Sequence, residues 1–200
     1  MILKIVDPGH PGLYKEVEDF DFNAPPCDPV QLANDLIETM TANKGLGLAA
    51  PQCGLPYRAF VLWSEQPFVV FNPRVVDQTS EFVQLDEGCL TFPNLFIKIK
   101  RPKIIKVRYQ DATGATHTEK LVGMTARGFL HEMDHLDGIL FQKRASIPQL
   151  NKANNQRKIL ERKLKRGEVY YKPSELPSVV VNEDAITFNT RSDSITTEKE

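Results

Sequence analysis

Five consecutive residues, His131-Glu132-Met133-Asp134-His135, carry the densest chemistry in this chain. On a helix, side chains four apart share a face, so both imidazoles can reach one cation while Glu132 leans toward its open side as a base. Two histidines do not complete a catalytic centre, because zinc-type sites use three protein ligands and leave a fourth position for water. Beyond Gly138 there is neither histidine nor cysteine, so the third ligand must be an acid such as Glu161 or a residue upstream. Upstream, Glu87-Gly88-Cys89-Leu90-Thr91 offers a thiolate in a glycine-containing turn. A third passage, Gly45-Leu46-Gly47-Leu48-Ala49-Ala50-Pro51-Gln52, has two glycines that let another backbone come close. Its Gln52 supplies a side-chain amide able to donate to an oxyanion. No Gly-Lys-Ser/Thr follows, which excludes a phosphate loop.

These residues need elements to hold them. Asp28-Pro29 reads as an N-cap followed by proline at the first helical position, with Leu32/Ala33, Leu36/Ile37 and Met40 at helical spacing and an end near Asn43-Lys44-Gly45. Short β-rich runs follow over 58–63, 68–72, 96–100, 104–109 and 116–122, separated by Pro, Gly and Asp turn signals. In the third and fourth runs apolar and charged residues nearly alternate, as in antiparallel strands with one wet face. A second helix is predicted from about Thr125 to Asp137, closed by Gly138, and a third, basic one over 148–166. Helix, many strands, helix, helix lacks regular β-α alternation. The expected fold class is therefore α+β, with mainly antiparallel sheets packed around a central metal-binding helix and a C-terminal helix.

Two hundred residues, 41% hydrophobic and 26% charged, suit one globular domain plus tails and exclude a chain disordered throughout. The 25 basic and 26 acidic side chains nearly cancel, which argues against DNA or other nucleic acid as principal ligand. Three cysteines (Cys27, Cys53, Cys89) are a poor start for a disulfide framework and point to a reducing compartment. No apolar run approaches the roughly eighteen residues of a membrane span, so no membrane association and a cytoplasmic location are expected. Residues 149–172 hold eight basic and two acidic side chains, whereas 173–200 hold two and six. We expect one catalytic metallohydrolase domain over 1–172 and a separate acidic, mobile tail over 173–200, in which Val179-Val180-Val181 and Ile186-Thr187-Phe188 could pair as an edge strand.

Taken together, the three chemical passages resemble the signature motifs of the peptide deformylase family, in that family's order and at about its spacing. The resemblance extends to Ile2-Leu3-Lys4-Ile5 and Asp7-Pro8 and to Ile139-Leu140-Phe141, and covers about residues 1–145. It implies that Cys89 joins His131 and His135 as metal ligand, with Fe2+ as the native ion and Zn2+ as an alternative in a purified sample. It implies hydrolysis of the N-formyl group of formyl-methionine on newly made polypeptides, releasing formate. Glu132 would be the base, with Gln52 and the backbone N–H of Leu90 stabilising the developing oxyanion. By positional match, Leu46, Leu85, Met124 and Gly128 would line the slot for the first side chain, and the peptide backbone would lie beside Gly45 and Gly47 as an added strand. Leu130 stands where the family usually has Gln, and Thr91 where it usually has Ser. Glu87 and Arg101 are candidates for an ion pair that pins the Cys89 turn.

Two rival readings remain at this level. A zinc peptidase shares the His-Glu-x-x-His pattern, and cleavage of unformylated peptides would distinguish it. A silent binding module with a structural metal would need a fourth protein ligand, and Cys27 and Cys53 are not in a recognisable ligand pair. The basic helix is read first as a helix packed on the body with a wet face, and second as a contact with ribosomal RNA near the exit tunnel.

Overall fold

The computed structural model describes residues 1–63 and 67–167. The first helix, α1 (Pro29–Ala42), starts where Asp28 accepts hydrogen bonds from the N–H groups of Val30 and Gln31 at 2.9 and 3.2 Å, satisfying donors that the first turn leaves free. It buries Leu32, Ala33, Leu36, Thr39 and Met40. Seven strands follow among the described residues: β1 (Gly47–Ala49), β2 (Ala59–Leu62), β3 (Phe68–Gln78), β4 (Phe82–Cys89), β5 (Phe92–Pro102), β6 (Ile104–Gln110) and β7 (Thr116–Val122). The central helix α2 (Gly123–Leu136) and the terminal helix α3 (Ile147–Lys165) complete the order.

All pairings are antiparallel: one sheet in the order β1-β2-β3-β6-β7, and a β4-β5 ribbon. One sheet face packs α2 through Phe60, Leu62, Ile105, Val107, Ala126 and Phe129. The other packs α1 through Leu48, Val61, Phe71, Leu36 and Met40. The ribbon and α3 share a third cluster, in which Ile97 and Ile99 meet Leu13, Phe141 and Ala153. The fold is thus α+β, with α2 held between the large sheet and the ribbon.

Several elements differ from their sequence expectation. β1 is three residues long and contains a glycine, too short for a periodic signal. β4 was not expected, because only one of its eight side chains is fully buried. β3 runs on to Gln78 through two register shifts that break its alternation. α2 begins two residues early, at Gly123, and α3 spans Ile147–Lys165 rather than 148–166. The expected tail over 173–200, with its edge strand, lies outside the described residues. None of the three cysteines forms a disulfide, and among the described residues no helix is long and apolar enough to cross a membrane.

Candidate metal centre and active site

Residues from three distant segments meet on one face of α2. The i, i+4 spacing holds the His131 and His135 rings 5.3 Å apart at 74°. β4 ends at Cys89, which pairs with Phe92 after a register shift past Glu87. A Cβ at Gly88 would sit 2.8 Å from the Phe96 ring, which would have to shift to admit it. Cys89 Sγ is 3.3 Å from His135 Nε2, and one ligating atom from each of Cys89, His131 and His135 lies within 4.8 Å of the others. Glu161, the acidic alternative, instead accepts a hydrogen bond from Arg157 at 2.8 Å on α3 and is outside this group.

The glycine loop closes the other side. Its Gly45 packs so tightly on Leu90 that a Cβ would lie 2.7 Å from the leucine side chain. A Cβ at Gly47 would overlap the Glu132 carboxylate. In the 3₁₀ turn Ala50–Cys53, the Gln52 side-chain oxygen accepts the Ala49 N–H at 2.8 Å. Its amide nitrogen is thereby aimed at Cys89 Sγ (3.4 Å) and Thr91 Oγ1 (3.2 Å). Thr91 thus offers the same hydroxyl acceptor as serine. Leu46, Leu85 and Met124 are partly exposed, while Gly128 faces Leu62, whose Cδ2 would be 3.2 Å from an added Cβ.

Buried ions hold this arrangement. Glu87 accepts Arg101 Nε and Nη2 at 2.8 and 2.9 Å, Arg127 Nη1 at 2.6 Å and His131 Nδ1 at 3.0 Å. A carboxylate can only accept, so His131 Nδ1 carries a proton and Nε2 is the ring atom that could ligate a cation. Arg101 also reaches Asp134 at 2.8 Å, and Arg144 bonds the same acid at 2.5 Å. Arg127 adds bonds to the carbonyls of Ile99 and Val83 at 3.0 and 2.6 Å, tying α2 to the ribbon. Leu130 packs on the apolar cluster behind α2, and its side chain has no part in orienting His131.

The electrostatics follow from burial and neighbours. Burial opposes ionisation of Glu87, but the hydrogen bonds from Arg101 and His131 outweigh it and bring the carboxyl to about 2. Burial likewise opposes a Cys89 thiolate, yet the adjacent His135 and His131 hold the thiol well below its ordinary value. Glu132, deeply buried, is pushed up to about 7 by desolvation against the pull of both imidazoles. Glu132 Oε2 and His135 Nδ1 are buried with no protein partner, a costly condition outside a ligand site. A soft sulfur donor, two imidazoles with one tautomer fixed, and an orphaned carboxylate oxygen alongside fit a divalent cation well.

The family model described as polypeptide deformylase matches residues 2–151. The chain belongs to this family. Peptide deformylase from Erythrobacter litoralis is 36% identical over 169 residues, covering 70% of this chain and 86% of that protein. A rice relative named peptide deformylase 1B, chloroplastic, is 31% identical over 94% of this chain and 70% of its own length. Among solved structures, peptide deformylase from Thermus thermophilus superposes with a TM-score of 0.72 at 37% identity, covering 82% of this chain and 99% of that one. This deformylase is accordingly a metal-dependent hydrolase that removes the N-formyl group from newly made polypeptides.

Sequence reasoning brought Cys89, His131, Glu132, His135, Gln52 and Glu87–Arg101 to attention, but it missed Arg127, Asp134 and Arg144. The signal was faint: an arginine four residues before His131 on the metal-binding helix, where the apolar pattern calls for a core side chain.

Proposed function

We propose that Cys89, His131 and His135 hold the catalytic ion and that Glu132 is the general base of formyl hydrolysis. The observation that carries this reading is the approach of all three ligating atoms within 4.8 Å of one another, with Glu132 buried beside them. A bound divalent cation acidifies water and polarises the formyl carbonyl. Glu132 takes the proton from the attacking water and returns it to the leaving amine, a task suited to a carboxyl near neutrality. The Gln52 amide and the Leu90 N–H donate to the oxygen on which charge builds. The peptide lies along the open edge of β1 beside Gly45 and Gly47, with its first side chain among Leu46, Leu85, Met124 and Gly128.

Fe2+ is proposed as the native ion, with Zn2+ as its substitute, since sulfur with two imidazoles suits either. The catalytic unit spans 1–172, with 173–200 a separate tail, and it works in the cytoplasm, where three unpaired cysteines remain reduced. α3 buries Ala153 alone among its side chains and carries Lys152, Lys158, Arg162, Lys163 and Lys165 outward, which supports a contact with ribosomal RNA. Co-sedimentation with ribosomes that weakens steeply with salt is expected; sedimentation indifferent to salt refutes that contact.

The central test is anaerobic purification, metal analysis and a formate assay on formyl-Met peptides. One equivalent of iron and formate release lost on chelation or in Cys89→Ala are expected. Undiminished release from a metal-free Cys89→Ala protein refutes the assignment.

A further inference from the structure

We propose that Arg58 is a positioning residue for the metal centre: it seats the last turn of α2 and thereby aims the His135 ring at the cation. The inference rests on the proposed ligand set of Cys89, His131 and His135. The two imidazoles are held in different ways. Glu87 accepts a hydrogen bond from His131 Nδ1 and fixes that ring, whereas His135 Nδ1 is buried with no protein partner. Its direction therefore follows the backbone that carries it, and His135 is the penultimate residue of α2.

A helix end stays formed only where its last carbonyls find donors. Met133, Asp134 and His135 accept the N–H groups of Asp137, Ile139 and Gly138 at 3.1, 2.8 and 3.3 Å, all from the turn that follows. The last carbonyl, of Leu136, depends on distant residues. It accepts the Val17 N–H at 2.9 Å and Arg58 Nη1 at 3.5 Å. Arg58 Nη1 also donates to the Val17 carbonyl at 3.4 Å, and Nη2 to the Asp137 carboxylate at 2.7 Å. One guanidinium thus ties together the segment at Val17, the last carbonyl and the residue that ends the helix. Its positive charge stands at the negative end of α2, beside an acid that the helix end would otherwise repel.

The large sheet puts Arg58 in that place. The Arg58 carbonyl accepts the Asn72 N–H at 2.9 Å, one step before the Ala59↔Phe71 pair that opens β2. Side chains alternate along a strand, so Arg58 shares the α2 face with Phe60 and Leu62. Leu62 meets α2 at Gly128, Phe60 meets Phe129 with ring centroids 5.0 Å apart, and Arg58 meets its end. Arg58 is buried at 4% exposure, yet neither formyl hydrolysis nor the Glu87 network employs it.

The test is Arg58→Met, which keeps an apolar stem and removes the guanidinium. Asp19 retains Arg74, but Asp137 loses its cation and is left against the helix end. We expect affinity for Zn2+, read by competition against a chromophoric chelator, to fall about tenfold, as when a group behind a ligand is lost. The absorption of the Co2+-loaded protein should change in shape, which instability alone does not produce, because the folded fraction keeps its spectrum. Adding Asp137→Asn removes the stranded acid, and the double variant should recover to within about threefold of wild type. Arg74→Met, which removes the other cation on Asp19, is the control and should leave affinity and spectrum as they are. Arg58→Lys keeps the charge without the fork and covers the case in which Arg58→Met does not fold; its affinity should drop about threefold with the same spectral change. Wild-type affinity and spectrum in Arg58→Met or Arg58→Lys, whatever the melting point, or an equal effect of Arg74→Met, overturns the positioning role alone. A wild-type cobalt spectrum without thiolate-to-metal absorption, or one that keeps it in Cys89→Ala, overturns the ligand set and this inference with it.

Discussion

Replacing Glu87 by glutamine keeps the side chain's size and removes one charge. Every partner of this carboxylate is a donor: Arg101 and Arg127 on Oε1, Arg101 and His131 on Oε2. Whichever way the new amide turns, its NH2 faces an N–H. Arg101 retains Asp134, but Arg127 loses its one acid and keeps only carbonyls, buried and charged. Breaking a buried pair in this way costs about 3–5 kcal/mol, a large part of the 5–15 kcal/mol by which domains of this size are stable. Melting should fall by roughly 6–20 °C at about 2–4 °C per kcal/mol. The His131 ring also loses the acceptor that fixes its tautomer, so metal affinity should drop about 10–100-fold. Arg127→Met is the control, since it leaves the Arg101 fork and the His131 bond in place; it should melt early yet bind metal within about threefold of wild type. Calorimetry of the metal-free protein and competition against a chromophoric chelator read the two effects. A Glu87→Gln protein with unchanged metal affinity, or a melting point within about 2 °C of wild type, refutes the reasoning.

Glu132→Gln preserves shape and removes the base, so turnover should fall about 10²–10⁴-fold with metal content unchanged; near-normal formate release defeats the assignment. Gly128→Leu places a large side chain against Leu62 and across the proposed first-residue slot, so KM for formyl-Met peptides should rise about tenfold or more, and unchanged kinetics remove Gly128 from the slot. Far from the site, burial raises the Asp111 carboxyl, but hydrogen bonds from Thr113, His117 and the backbone of Thr113 and Ala115 outweigh this and bring it to about 2. Since the folded value lies below the unfolded one, Asp111 adds stability that is complete above the unfolded pKa and is lost as pH falls through 3.8 toward about 2. The melting difference between wild type and Asp111→Asn, measured at pH 6 and again at pH 2.5, should shrink; a constant difference contradicts it.

How far the sequence spoke depends on whether the information was local. The α2 and α1 helices were legible because caps and periodicity lie within a dozen residues, and His131, Glu132 and His135 because one helical turn fixes their relation. Strand β4 and the rest of the ion network were not, for a shared reason. β4 has a single fully buried side chain, and it is Glu87. With no row of apolar residues facing inward, the strand gives no alternating pattern to read and little hydrophobic force to seat it. Its position over α2 comes from ion pairs with Arg101, Arg127 and His131, partners 14, 40 and 44 residues away. Of these only the Glu87–Arg101 pair was read from the sequence; residue types alone do not announce the contacts with Arg127 and His131. The same fact bears on the Leu130 departure: the group bonded to His131 Nδ1 comes from the ribbon, not from the preceding helical position. The Cys89 sulfur, two residues beyond Glu87, therefore sits where a buried charge network puts it. A cation site seated this way should be more sensitive to loss of one charge at Glu87 than to a conservative change among the apolar residues beneath it.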